Sequence, residues 1–349
     1  MLSQKPDALL LTGDLTFNGE KLSHEDLAQK LELLEEAGIP VLVLPGNHDV
    51  YSASARSFHG DEMLETPWVT TAEFEEIYAD FGYREALDKD TSSSSYLYAL
   101  KDDLWLLCID VNTADSFGAL KEETLSFARK CLQAAKDHGA QVIAASHQTL
   151  LLHNMLFQNG MVMGNASFLA DLYREYQVPL NLCGHMHVQH VREEDGLTDI
   201  ATSALTVFPC QYGILEIQPS DKAVPLFHYE TRRTDVEAWA SKTESTNPNL
   251  LRFSIFGESF YDLLTRQKLE AELKNRSLSP EETEQLIVES IEVNKAFIAG
   301  RLDQFDNLSG VLSDWQRLTK DSFWIVYLLS LAQDPASARN MNVWEVALP

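Results

Sequence analysis

The chain has 349 residues, 45% of them hydrophobic and 23% charged, long enough for one large domain and a smaller one. Its 53 acidic residues against 27 basic ones leave a net charge of −26, which repels nucleic-acid polymers and argues against a DNA- or RNA-binding module. A small anionic substrate stays open, because bound cations reverse the field locally. No apolar run reaches the roughly 18 residues that suggest a membrane span, and Met1 to Ala8 shows no signal-peptide pattern.

Ala8 to Thr12 predicts a buried strand ending in Gly13-Asp14. Ser23 is expected to cap a helix whose apolar face is Leu27, Leu31 and Leu34, closed by Gly38. Pro40 to Leu44 forms the next strand and delivers Pro45-Gly46-Asn47-His48-Asp49. Residues 50 to 95 read as an excursion from the sheet, carrying Trp68, Phe74, Tyr78 and Tyr83. A strand over Leu104 to Ile109, a helix over Glu122 to His138 and a strand over Gln141 to Ser146 then run straight into His147. A helix over Ser167 to Tyr176 precedes the strand Leu180 to Cys183, which feeds Gly184-His185-Met186-His187. Thr198 to Val207, Gly213 to Ile217 and Val224 to Tyr229 read as antiparallel strands of a second sheet.

Beyond Arg232 the pattern is mainly helical, over Asp235 to Lys242, Leu250 to Lys274, Pro280 to Gly300 and Trp315 to Gln333. Ser279-Pro280-Glu281-Glu282 has the form of a capped helix start. The expected organisation is therefore a mixed α/β domain over residues 1–232 and a helical domain over 233–349. Cys108, Cys131, Cys183 and Cys210 lack C-x-x-C spacing, and the first and third lie in apolar runs, which favours core packing over disulfides or metal ligation.

Four short segments place metal-ligand residue types just after an apolar strand: Gly13-Asp14, Gly46-Asn47-His48-Asp49, Ser146-His147 and Gly184-His185-Met186-His187. Each alone is more simply structural, but four in order at equivalent strand ends are hard to obtain by chance. Open α/β sheets gather ligands there. A carboxylate such as Asp14 can bridge two cations, Asn47 offers a neutral oxygen, and imidazoles suit borderline ions such as Mn²⁺, Fe²⁺ or Zn²⁺. His185 and His187, two apart, point the same way on an extended segment.

These segments resemble the successive motifs of the calcineurin-like metallophosphoesterase superfamily, over roughly residues 7 to 230. The resemblance implies a two-sheet αββα sandwich and metal-dependent hydrolysis of phosphate esters, by attack of a hydroxide bridging two divalent ions. It makes Asp14 similar to the bridging ligand. Asn47, His147 and His185 resemble the other ligands of the second metal, and His187 a ligand of the first. His48 resembles the histidine that contacts the phosphate and protonates the leaving group, and Asp49 the carboxylate that orients it. The superfamily's first motif, D-x-H, is absent: only 12 residues precede Gly13 and none is histidine. A start that lies within the domain is favoured over a genuine one-metal variant, so this chain is expected to hold one ion better than two.

Thr12 to Glu20, His147 with His153-Asn154, and the helical C-terminal part are similar to bacterial cyclic-nucleotide phosphodiesterase-like members, which implies a phosphodiester substrate such as 3′,5′-cyclic AMP or GMP. The same metal core serves phosphomonoesterases, including nucleotidases and protein phosphatases. A catalytically silent scaffold and a metal-binding or nucleotide-sensing module are further alternatives. The partner expected is a small phosphate ester, with cytoplasmic location the default unless a leader lies upstream.

Other residues carry two readings each. Asn18 and His24 either reach substrate or are a turn residue and a solvated helix-start histidine. His153 lines the pocket or is a surface residue, and His190 supports the site from behind or lies on a strand surface. Trp68, Tyr78 and Tyr83 stack on a base or pack the excursion on the sheet. Phe253, Phe256, Phe260, Leu263 and Leu264 recur at helical spacing and are expected in a core or domain interface, with the acidic run Glu270 to Glu292 a solvated face.

Overall fold

The computed structural model describes residues 2, 4–218, 226–334 and 338–347, in two compact units. The first comprises residues 1–152, 157–186 and 192–200, and the second residues 153–156, 187–191 and 201–349.

The first unit opens with β1 (Leu9–Leu11), α1 (Lys21–Glu35) and β2 (Val41–Val43). β1 and β2 pair in parallel, Leu10 opposite Leu42. The helix starts at Lys21 behind Glu20, so Ser23 is not its cap; the Ser23 hydroxyl donates instead to the Glu20 carboxylate at 2.7 Å. Its buried face is His24, Ala28 and Leu31, a stripe at i, i+4 and i+7 that keeps Leu31 of the expected leucines and leaves Leu27 and Leu34 half-buried.

The excursion that follows holds an exposed hairpin, β3 (Arg56–His59) with β4 (Glu62–Glu65), then α2 (Thr71–Ile77). A capping box in which Thr70 and Glu73 exchange hydrogen bonds starts α2. Next come β5 (Asp88–Lys89), β6 (Tyr96–Lys101), β7 (Leu104–Ile109), α3 (Glu122–His138), β8 (Gln141–Ser146), α4 (Ala166–Glu175), β9 (Leu180–Cys183), β10 (His190–Glu194) and β11 (Leu197–Ala201). They form a seven-stranded sheet in the order β10-β11-β9-β8-β7-β6-β5. β11 thus joins this sheet rather than a second one. The parallel centre, Cys108 opposite Ala145 and Ala144 opposite Asn181, is buried, as apolar runs without alternation require. Leu107 and Ile109 of β7 share a core with Phe127, Cys131 and Leu132 of α3 and with Leu169 and Tyr173 of α4.

In the second unit β12 (Gln211–Gln218), β13 (Leu226–Arg233) and β14 (Val343–Ala347) make an antiparallel sheet. Residues 224 and 225 of the expected third strand lie outside the described residues. The helices are α5 (Val236–Lys242), α6 (Phe253–Leu273), α7 (Pro280–Ile298), α8 (Leu308–Thr319) and α9 (Phe323–Gln333). Asp235 caps α5 and Ser279 caps α7. The single helix expected over Trp315 to Gln333 is broken at Lys320, whose φ of 60° cannot continue a right-handed turn. On α6, Phe256, Phe260, Leu263 and Leu264 are exposed, not core. All four cysteines are buried free thiols. Among the described residues no helix is long and apolar enough to cross a membrane.

Candidate metal centre

The carboxyl ends of β1, β2, β8 and β9 converge in the first unit. They bring together Asp14, Asn47, His147 and His185, four of the five residues singled out as ligands. Asp14 Oδ1 lies 3.3 Å, Asn47 Oδ1 3.0 Å and His185 Nδ1 3.1 Å from one atom, His147 Nε2. Asp14, His147 and His185 each offer a ligand atom within 4.8 Å of the others. The fifth, His187, is exposed and belongs to the second unit.

The other nitrogen of each imidazole is tied to the backbone. His147 Nδ1 donates to the Thr12 carbonyl at 2.7 Å, and His185 Nε2 to the Gly160 carbonyl at 2.7 Å. Those bonds fix the tautomers, so that His147 Nε2 and His185 Nδ1 turn lone pairs into the cluster. Two lone-pair nitrogens facing a carboxylate and an amide oxygen repel unless a proton or a cation sits among them. The donor set, two oxygens and two imidazole nitrogens, suits a borderline divalent ion. The residues present therefore fit such an ion.

The backbone makes the cluster possible. Asp14 and His185 take left-handed conformations, with φ of 53° and 62°, which turn their side chains toward the cluster at the strand ends. Gly13, at φ 90°, and Gly46 lie where the two turns touch. A Cβ on Gly13 would come 2.6 Å from both Gly46 N and His147 Nδ1. One on Gly46 would overlap the Asp14 amide and Oδ1.

Charge follows the same geometry. Burial acts to raise the Asp14 carboxyl, but the hydrogen bond and charge of His147 and the His48 N–H outweigh it and hold the pKa at about 2. Burial acts to lower the His147 imidazole, and the Asp14 carboxylate turns the net shift upward.

The His48 ring is exposed, and the residue's backbone N–H donates to Asp14 Oδ1 at 3.0 Å. Asp49 was expected to orient that ring. It does not: the carboxylate is fully buried and accepts from the N–H groups of Leu15 at 3.1 Å, Thr16 at 2.9 Å and Gly46 at 2.8 Å. Burial pushes the Asp49 carboxyl up, while the neighbouring His24 and the N–H groups of Gly46 and Leu15 act against the rise. It clamps the Asp14 turn to the Gly46-Asn47 turn.

His24 is wholly buried beneath this clamp, so it neither reaches substrate nor lies in solvent. Asn18 is half-buried and its Oδ1 takes a long hydrogen bond from the Ser54 hydroxyl, 3.4 Å. Tyr78 and Tyr83 are buried packing residues, and Trp68 is exposed. His153 and His190 are buried in the second unit with their Nδ1 atoms 2.9 Å apart, and His190 Nε2 bonds Asp334 at 2.9 Å. Neither is the surface residue that sequence alone favoured.

Sequence reasoning missed Asp199. Fully buried, it accepts from the N–H groups of Leu150 and Leu151 at 2.7 and 2.8 Å and from the Asn181 amide at 2.7 Å. It braces the segment after His147 against the strand that leads to His185. The strand Leu197–Ala201 is buried along its whole length without alternation, so its burial is visible only in the fold.

The fold and the cluster define a mixed α/β protein with a candidate divalent-ion centre at the strand ends. A family model for calcineurin-like phosphoesterases matches residues 1–189. The chain belongs to the calcineurin-like phosphoesterase family, whose members are phosphoric ester hydrolases. Residues 235–337 match the model of the C-terminal domain of cyclic nucleotide phosphodiesterase. A protein of Arcobacter nitrofigilis named "Probable glycerophosphodiester phosphodiesterase GpdQ" is 28% identical over 193 residues, 53% of this chain and 58% of that protein. The chain thus spans under two thirds of that relative's length. Solved structures that resemble it include a dimetal phosphatase from Danio rerio, 10% identical, with TM-score 0.45 over 66% of this chain and 82% of the other. Another is the purple acid phosphatase PPD1 of yellow lupin, Lupinus luteus, 14% identical, with TM-score 0.44 over 66% and 45%.

Proposed function

We propose that the protein hydrolyses small phosphodiesters, among them 3′,5′-cyclic nucleotides, with Asp14, Asn47, His147 and His185 holding a divalent ion of the manganese, iron or zinc type. The catalytic domain is assigned to residues 1–232, with a helical domain over 233–349. The observation that carries the reading is the convergence of two oxygens and a nitrogen on His147 Nε2 within 3.3 Å. The phosphodiester preference is supported by the two family models and by the name of the Arcobacter relative.

Cations bound there supply charge for the phosphoryl oxygens and lower the pKa of water. The chain's own residues do the rest. Asn47 directs its amide oxygen inward, and Asp14, kept ionised, supplies the negative charge that retains the cation. The His48 ring, which makes no hydrogen bond among the described residues, is free to give a proton to the leaving alcohol.

The test is parallel turnover of bis(p-nitrophenyl) phosphate, p-nitrophenyl phosphate and 3′,5′-cyclic AMP with Mn²⁺, Fe²⁺ or Zn²⁺ added. Faster diester hydrolysis is expected; a faster monoester points to a phosphomonoesterase, and metal binding without turnover to a scaffold. His48→Ala is expected to lower kcat about 10²–10⁴-fold with metal content unchanged, and an emptied site would sink its assigned role.

A further inference from the structure

The residue that does most outside the ligand set is His24. Its ring is 0% exposed, and every polar atom on it is engaged. Nε2 lies 3.1 Å from the Asp49 carbonyl oxygen and 3.2 Å from Thr16 Oγ1, and Nδ1 lies 2.9 Å from the Tyr78 hydroxyl. A carbonyl only accepts, so Nε2 carries the proton, and Nδ1 then accepts from Tyr78. One neutral tautomer satisfies the whole set. The ring also stands edge-on to Phe74 and Tyr78, centroids 5.6 Å away in both cases.

What that ring holds is the Asp49 backbone and, through Thr16, its side chain. The Thr16 hydroxyl donates to Asp49 Oδ1 at 3.2 Å and accepts from the Gly19 N–H at 3.0 Å. Asp49 in turn fixes the amides of Leu15, Thr16 and Gly46, which flank Asp14 and Asn47. The chain of contacts therefore runs from α2's end, at Tyr78, through His24 and Asp49 to the two turns that present oxygen ligands. We propose that His24 is a positioning residue of the metal centre: it sets the separation of Asp14 and Asn47, and hence the affinity for the cation, without touching cation or substrate. The inference rests on the metal-binding reading above.

The experiment is calorimetric titration of the full chain with Mn²⁺, alongside thermal melting. His24→Leu is expected to weaken Mn²⁺ binding about 10–100-fold, the range for residues that orient ligands. Tyr78→Phe keeps the ring packing and loses only the hydroxyl donor, so it is expected to stay folded and to weaken binding by a smaller factor. Leu132→Ala, a core truncation on α3 at 2% exposure, serves as the control for lost stability and is expected to leave affinity unchanged. Unchanged affinity in both His24→Leu and Tyr78→Phe overturns the inference, as does a loss in Leu132→Ala as large as theirs. If His24→Leu does not fold, Tyr78→Phe decides alone. Failure of the wild-type chain to bind Mn²⁺ overturns the metal-binding reading itself, and the inference falls with it.

Discussion

Adding one methyl group at Gly46 separates packing of the metal centre from general stability. The Cβ of Gly46→Ala would overlap the amide nitrogen and Oδ1 of Asp14 and stand 2.8 Å from His147 Cε1. None of these is the loose end of a flexible chain: Asp14 N is backbone, and Oδ1 is pinned by the His48 N–H. Overpacking of this kind costs about 1–3 kcal/mol, roughly 2–4 °C of melting temperature per kcal/mol for a domain of this size. Relief requires the Asp14 turn to move, and a ligand set tolerates displacements of only about 0.2 Å. Mn²⁺ affinity should therefore fall at least about 10–100-fold. Gly139→Ala is the matched control. At φ 86°, with nothing within 4 Å of a new Cβ, it carries only the left-handed penalty, about 1–2 kcal/mol, and sits at the end of α3. Titration calorimetry with melting curves on both variants decides the matter. Wild-type affinity in Gly46→Ala, or an equal loss in Gly139→Ala, would refute the reasoning.

Three further outcomes follow from named contacts. In chelator-treated protein the depressed Asp14 pKa contributes stability that is full above the ordinary 3.8 and is lost as pH falls through about 2; the shift corresponds to about 2 kcal/mol. Urea midpoints of wild type and Asp14→Asn should therefore draw together across that window, and parallel curves would contradict the pairing with His147. Asp199→Ala removes the acceptor for Leu150, Leu151 and Asn181, and buried donors left unsatisfied are expected to cost about 1–3 kcal/mol or more in urea unfolding, with a change under about 1 kcal/mol contradicting the bracing role. Ser279→Ala breaks the capping box of α7 and should cost about 1 kcal/mol by the same measurement, leaving Mn²⁺ affinity unchanged.

The sheet's centre was legible because its signals are local. β7, α3, β8 and β9 have the bounds expected, since an apolar run between polar turns, or a 3.6-residue stripe, announces itself without help from the rest of the chain. The pairing of β14 with β13 depends on partners more than 100 positions apart, Tyr229 opposite Trp344, and no local pattern specifies it. The break at Lys320 has a similar cause: the residue takes a left-handed conformation that its identity does not favour. At the site, motif spacing pointed to the residues that meet, but not to what holds them. Asp49 is adjacent to His48 in sequence, and adjacency suggested a pair; in the fold one side chain faces the interior and the other solvent. The phase of α1 did place His24 with Ala28 and Leu31, and extending the stripe back from Leu31 through Ala28 would have buried it.

Two buried carboxylates divide the work of fixing the ligands. Asp49 gathers the amides beside Asp14 and Asn47, and Asp199 the amides after His147 together with Asn181 on the strand leading to His185. Each is fully buried and accepts hydrogen bonds from backbone N–H groups. That choice has a consequence. A cationic side chain beside the cluster would repel a divalent ion, whereas amide dipoles neutralise the buried carboxylates and leave the negative charge of Asp14 to the cation. The ligand loops are thus held by hydrogen bonds that do not compete with the metal, so a chain with a net charge of −26 can concentrate one carboxylate and two lone-pair nitrogens at a single point.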